Sequence, residues 1–208
     1  PSAFDGKTIM LTTGVDTGAA FTGTEKGDVF KVGETLISSG YYDVDGSGEP
    51  DTFVNQYTSH LNSLDVLDGG AGKDTLNVET EGAIATVTAN ISNIETINLK
   101  SGSTVTFDTT TYTGVETLNV TKATTSATLD AAATTDVNVS GITTGAVSVD
   151  GGKNVNVTVV DTGTNTTIGA TTGAAGTVTV TDAAQAGSAI AVDGGTDVSI
   201  TATSDTTN

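Results

Sequence analysis

The residues with the clearest chemistry lie in LDGGAGKDTLNV, residues 67–78, where a glycine-rich turn carries Lys73 and Asp74. Two chemistries suit such a turn. A phosphate cradle needs G-x-x-x-x-G-K-[ST], so that backbone amides and the lysine surround the phosphates while a hydroxyl holds magnesium. Here Gly72-Lys73 is followed by Asp74, and Leu67 stands where the first glycine belongs. A carboxylate at that place repels phosphate. The chain also runs on into a strand pattern, not a helix. The second chemistry is a divalent cation. The calcium-binding nonapeptide G-G-x-G-x-D-x-U-x, with an apolar residue at U, is matched at every specified position by residues 69–77. Gly69, Gly70 and Gly72 permit tight turns that expose carbonyl oxygens. Asp74 adds a hard anionic oxygen suited to Ca2+, and Asp65 and Asp68 lie just upstream. The plainer alternative is a glycine turn between strands, with Asp74 as a turn former.

Two weaker candidates precede this one. GTEKGDVF (23–30) is a degraded copy of the repeat. Gly23 opens it, Asp28 stands at the ligand position, Phe30 at the apolar one, and Lys26 replaces a glycine. DVDGSGEPD (43–51) alternates Asp43, Asp45 and Asp51 around Gly46 and Gly48. It has the acidic half of a calcium loop without completing the EF-hand pattern. A solvated acidic loop explains it equally well. Three such places within the first 75 residues favour calcium more than any one does.

What must position these turns is a repeat. TLNV (75–78), TINL (96–99), TLNV (117–120), DVNV (136–139), NVNV (154–157), TVTV (177–180) and DVSI (197–200) are apolar–polar–apolar cores. Their first apolar residues, Leu76, Ile97, Leu118, Val137, Val155, Val178 and Val198, are 21, 21, 19, 18, 23 and 20 apart. A period near 20 that survives small insertions marks a solenoid. A second apolar pair recurs in each unit: Val87/Ala89, Val105/Phe107, Ala127/Leu129, Val147/Val149 and Ile190/Val192, with a weaker unit at Ile168. Alternation with period two sends Leu76 and Val78 to one face and Asn77 to the other. One rung cannot bury its apolar face, whereas stacked rungs bury continuous columns of Val, Leu and Ile. β-Branched residues and recurring glycines argue against helix.

The expected fold is therefore all-β, a parallel β-solenoid (β-helix) with rungs of about 20 residues and right-handed crossovers. It is expected over residues 64–208, after a less regular, partly β segment over 1–63 that holds the candidate calcium loops. Two polar columns follow. Asn77, Asn98, Asn119, Asn138 and Asn156 stack as an amide ladder, continued by Thr179 and Ser199. A polar or turn residue follows each second pair: Asn90, Asp108, Asp130, Asp150, Gly169 and Asp193. Of these, Asp108, Asp130, Asp150 and Asp193 form the other column, read chiefly as turn residues, with a second calcium column as the alternative.

Composition sets outer bounds. Seven basic against 25 acidic residues give a net charge of -18. That disfavours nucleic acid and anionic membrane surfaces and is compatible with bound divalent cations. There is no cysteine, hence no disulfide or thiolate metal site. No apolar run is long enough to span a bilayer. No signal peptide is visible. The first residue is Pro1 and the last stretch is low-complexity, which suggests a piece excised or processed from something larger.

LTTGVDT (11–17), GTEKGDVF, LNSLDVLDGGAGKDTLNV (61–78), ISNIETINLKSGSTVTF (91–107), VETLNV, AVSVDGGKNVNVT and AIAVDGGTDVSIT follow one another in order. Together they resemble the repeats-in-toxin (RTX) type of surface-layer (S-layer) protein of Gram-negative bacteria, over most of the chain. The resemblance implies type I secretion with an uncleaved carboxy-terminal signal, which is not seen here. It implies folding outside the cell once calcium is plentiful, and a two-dimensional lattice at the cell surface held by calcium-bridged self-association. It carries Asp74 and Asp28 over as ligands by motif position. A single complete nonapeptide, in place of a long array, suggests a scaffold portion between calcium-rich parts.

Three functions compete. The first is a structural, self-assembling extracellular component. The second is an adhesin or binding module that orders water or meets a sugar or ice surface through Thr86/Thr88, Thr104/Thr106 and Ser126/Thr128, with a cell-surface polysaccharide as a possible partner. The third is catalysis. His60 has no Ser or Cys partner motif, and the seven basic residues do not cluster along the chain, so the expectation is no enzyme.

Overall fold

The computed structural model describes residues 6–42, 52–160, 165–183 and 188–202. In chain order, β1 (Thr8–Met10), a 3-10 turn (Gly18–Phe21) and β2 (Val29–Val32) lead into β3 (Glu34–Tyr42) and β4 (Thr52–Ser59). Next come β5 (Val66–Asp68), β6 (Thr75–Thr80), β7 (Asn90–Ser92), β8 (Thr96–Ser101) and β9 (Val105–Asp108). β10 (Thr117–Ala123), β11 (Ala127–Ala131), β12 (Asp136–Val139), β13 (Val147–Gly151) and β14 (Val155–Val159) follow. β15 (Thr166–Ile168), β16 (Thr177–Asp182), β17 (Ile190–Val192) and β18 (Asp197–Ala202) complete the set.

The chain is all-β and winds as a parallel β-solenoid of about eight turns, with rungs of around 21 residues. One wall is a nine-stranded sheet in the order β1-β2-β6-β8-β10-β12-β14-β16-β18. The opposing wall is the five-stranded sheet β17-β15-β13-β11-β9, and β5 pairs with β7 in a short third one. Every pairing among these is parallel. The stack reaches back to Thr8, well before residue 64, because β1 and β2 stack on β6 as two further members of the same sheet. What delays the next rung is β3–β4, an antiparallel hairpin inserted between β2 and β5.

The core follows from period-two alternation. Phe30, Leu76, Ile97, Leu118, Val137, Val155 and Val178 share one register column, all fully buried. The next inward column is Val32, Val78, Leu99, Val120, Val139, Val157 and Val180. Across the interior lie Phe107, Leu129, Val149 and Ile168. The amide ladder forms from Asn77 to Asn138, and Asn156 stands in register beyond it. Asn98 donates to Asn77 at 2.9 Å, Asn119 to Asn98 at 2.8 Å, and Asn138 to Asn119 at 2.9 Å.

One expected strand is absent. Val87 and Ala89 lie in irregular chain, and Ile84 takes the place beside Val105 through an isolated bridge. Asn90, which follows that pair, stands in β7 and pairs with Val66 of β5. The physical reason is a third wall. In this rung the chain supplies a strand at 90–92, so the residues before it must turn a corner. Asp108, Asp130 and Asp150 do stand in register.

Candidate functional site

Two glycine turns, 23–28 and 69–74, stack directly on one another at the edge of the nine-stranded sheet. Gly23 N–H donates to the Asp68 carbonyl at 2.6 Å, and Ala71 N–H to the Thr24 carbonyl at 3.0 Å. Gly70 and Gly72 have φ of 87° and 121°, conformations that side-chain-bearing residues rarely adopt. A Cβ on Gly69 would lie 1.8 Å from the Asn93 carbonyl oxygen of the next rung. Backbone approaches backbone here, and no side chain fits between.

The acids at the ends of these turns form a ladder. Asp28, Asp74 and Glu95, which immediately precede β2, β6 and β8, each present a carboxylate to the backbone one rung earlier. Asp28 Oδ1 accepts from Lys7 N–H, Asp74 Oδ1 from Asp28 N–H at 2.6 Å, and Glu95 Oε2 from Asp74 N–H at 2.7 Å. A second ladder stands at another corner. Asp65 accepts from Asp16 N–H and Asn62 N–H, both at 2.9 Å, and Asp16 accepts from Thr12 N–H and its hydroxyl at 2.7 and 2.6 Å. Asp16, Asp28, Asp65 and Asp74 are all buried. A buried carboxylate is tolerated when donors surround it.

The two stacked turns differ at one residue. Four residues before Asp28 stands Thr24, whose N–H and hydroxyl reach Asp28 Oδ2 at 2.5 and 2.9 Å. Four residues before Asp74 stands Gly70, which has no hydroxyl, and its N–H bonds to Asp68 Oδ1 instead at 3.0 Å. Asp74 Oδ2 is left buried without a hydrogen-bond partner. The titration of the two acids diverges accordingly. Burial pushes Asp74 up from its ordinary value of 3.8; the bond from Asp28 N–H opposes this, and the charges of Glu95, Asp28 and Asp68 add to the rise. Burial also pushes Asp28 up, but bonds from Thr24 and Lys7 outweigh it and hold Asp28 below 3.8.

These opposite shifts set a pH response. With its folded value raised, Asp74 contributes most to stability in acid and loses that contribution as pH rises through the folded value. Asp28, lowered, contributes above its ordinary value and loses its contribution as pH falls through the folded one. In EDTA, acidification from neutral pH toward about 4 is expected to stabilise the wild-type chain relative to Asp74→Asn. Urea midpoints of the two proteins across that range measure the difference. A constant difference means that Asp74 titrates normally.

Of the sequence candidates, Gly23, Asp28, Asp68, Gly70, Gly72 and Asp74 come together at these stacked turns. Asp65 does not join them; it belongs to the second ladder, where both its oxygens accept backbone N–H groups. Asp43, Asp45 and Asp51 lie outside the described residues. Among the described residues no three His, Cys, Asp or Glu side chains are grouped to hold a metal ion. Any cation at this corner would rely on Asp74 Oδ2, its carboxylate neighbours and backbone carbonyls. The charge-bearing neighbours Asp16 and Glu95 were missed by motif reading. The signal for Glu95 was positional: Asp28, Asp74, Glu95 and Glu116 each stand one residue before a strand of the large sheet, whereas Asp16 precedes none.

The remaining charges sort more simply. Asp108 Oδ1 accepts from Thr110 N–H two residues on, as a turn residue does, whereas Asp150 Oδ1 accepts from Thr171 N–H at 2.8 Å on the next rung. Asp130, between them, is pushed up by burial and then by its two like-charged neighbours. His60 Nε2 meets the Thr35 hydroxyl at 2.9 Å. Lys31, Lys100 and Lys122, scattered in sequence, lie on the outer face of the large sheet. Among the described residues no helix is long and apolar enough to cross a membrane. No protein-family model matches the chain, and neither does any curated protein sequence.

Proposed function

We propose that this chain is a structural, non-catalytic segment of an extracellular surface layer, a rigid solenoid whose amino-terminal turns are completed by calcium. The observation that supports this reading is Asp74 Oδ2, an anionic oxygen buried without a donor at the one complete nonapeptide. Burying an uncompensated charge is costly, and a cation relieves it. Asp74 and the neighbouring Asp68 would hold the ion, with carbonyl oxygens of the glycine turns as further hard ligands. Asp28 falls out of the ligand set, because Thr24 and Lys7 already saturate it. Bound calcium would supply positive charge to a chain of net charge -18, easing self-repulsion within and between copies. Repeated rungs then offer a stiff unit for self-association into a lattice.

The test is a calcium titration of wild type and Asp74→Asn with EDTA reversal, read by urea unfolding and light scattering. At a hundredfold excess over its dissociation constant, calcium is expected to stabilise the wild type by about 2.7 kcal/mol. Asp74→Asn is expected to gain little. Assembly seen by scattering should follow calcium in the wild type alone. A wild-type chain indifferent to both calcium and EDTA would overturn the calcium reading. A chain that stays monomeric in millimolar calcium would overturn self-assembly.

A further inference from the structure

The outer face of the nine-stranded sheet carries a groove that the calcium reading does not use. Its wider part is a concavity of about 560 Å³ lined by Lys31, Asn77, Glu79, Asn98, Lys100 and Thr121. A narrower part of about 190 Å³ continues it along Asn119, Asn138 and Asn156 on one side and Ser140 and Thr158 on the other. Alternation explains the shape. The amide ladder makes one ridge, the side chains two residues further along make the other, and the inward-facing Val78, Leu99, Val120 and Val139 leave a floor between. The ridges stand roughly 7 Å apart, and rungs repeat every 4.8 Å or so. A β-bulge at Thr121 adds an extra outward hydroxyl to the second ridge.

The chemistry of the ridges specifies a ligand. An amide in the middle of the ladder uses one N–H and one lone pair on its two neighbours. It retains one donor and one acceptor. The first ridge is thus a row of paired donors and acceptors, and the second is largely hydroxyl. Such a surface matches groups that donate and accept together, as an alcohol does at a single oxygen. Charge adds a second requirement. Lys31 lines the groove with no ion-pair partner among the described residues, Lys100 pairs with Glu79, and Lys122 stands beside Lys100 in register. Two lysines, Lys31 and Lys100, thus line the groove against the single carboxylate Glu79, in a chain with net charge -18; Lys122 stands beside the groove on the same face, and Glu81 lies near enough to act on Lys100. The groove lining carries one positive charge in excess, at Lys31, which suits a carboxylate of a ligand.

We propose that this groove binds an extended acidic polysaccharide. Its hydroxyls lie along the amide and hydroxyl ridges, and its carboxylates meet Lys31 and the Lys100–Lys122 pair. The inference does not depend on the calcium reading, because the groove lies on a sheet face and the glycine turns lie at a corner. Asp74→Asn should therefore bind as the wild type does, whatever the calcium titration shows.

The test uses hyaluronan oligosaccharides as the uronate probe, neutral dextran oligosaccharides of equal length, and polyglutamate as an acidic extended peptide. Binding is read by calorimetry at 150 mM salt, with circular dichroism confirming that each variant is folded. Hyaluronan is expected to bind the wild type better than either control. Lys31→Glu with Lys122→Glu is expected to weaken it roughly tenfold or more, through lost charge-assisted bonds. Three results would overturn the proposal: no hyaluronan binding, undiminished binding to the double variant, or polyglutamate bound as tightly as hyaluronan.

Discussion

Replacing Gly69 with alanine is expected to destabilise the protein by about 3 kcal/mol or more, the range of substitutions that force backbone apart in a packed interior. The new Cβ would stand 1.8 Å from the Asn93 carbonyl oxygen and 2.7 Å from Asp74 Oδ2. The first of these contacts is to backbone, so no rotamer change relieves it. The rung must lift, and lifting it breaks the bond from Gly69 N–H to the Ser92 carbonyl. Urea unfolding compares it with Gly14→Ala, whose Cβ would meet only the Thr12 hydroxyl at 3.5 Å. Equal midpoints for the two variants would show that the stacked turns yield easily. Calcium should not rescue Gly69→Ala, since the clash is with the chain itself. The same close approach recurs at Gly145, 1.7 Å from the Thr125 carbonyl oxygen, where no calcium motif exists. Glycine at these corners is thus required by packing before any ion is considered.

The second large effect is in the core. Phe107→Ala is expected to cost about 3–5 kcal/mol, the usual range for emptying a buried aromatic site. Phe107 is 1% exposed and meets Tyr112 edge-on, with ring centroids 6.0 Å apart and planes at 70°. Tyr112 in turn donates its hydroxyl to the Val87 carbonyl at 2.9 Å, which anchors the irregular stretch before β7. Burial pushes that hydroxyl up to about 12, so the bond persists through the neutral range. Collapse around the cavity would therefore disturb the third wall as well as the five-stranded sheet. Ile200→Ala, on the exposed terminal strand, should cost under about 1 kcal/mol, because Ile200 is 48% exposed. Midpoints that shift equally would mean that the aromatic pair is not part of the cooperative unit.

Much of the architecture was legible in order of residues. Leu76, Ile97, Leu118, Val137, Val155, Val178 and Val198 recur at solenoid spacing, and all pair in register in one sheet. Asn77, Asn98, Asn119 and Asn138 bond along the axis as their positions required. The physical reason is that a parallel stack copies each rung onto the next, so a periodic sequence specifies both the inward columns and the outward ones. Where the period failed, so did the reading. Val87 and Ala89 have strand-like alternation, but a corner takes them, and propensity alone cannot tell a corner from a wall. The early start of the stack was hidden as well, because the β3–β4 hairpin separates Phe30 from Leu76 by more than two rung lengths in sequence.

The turn chemistry divides in the same way. By itself the sequence determined that residues 69–74 form a glycine turn ending in an acid, through residue types that suit close backbone approach and a hard cation. Only the tertiary structure decided what each acid does. Asp28 and Asp74 occupy equivalent motif positions, yet Thr24 closes Asp28 while Gly70 leaves Asp74 Oδ2 open. Asp65, beside the motif in sequence, faces another corner and caps Asp16 N–H. Lys31, Lys100 and Lys122 show the same logic at the surface. They are far apart along the chain, but successive rungs return to the same wall and bring them to one face. Whether a charged group is saturated, open or grouped depends on donors and neighbours from other rungs, and those distances exist only after the chain has stacked.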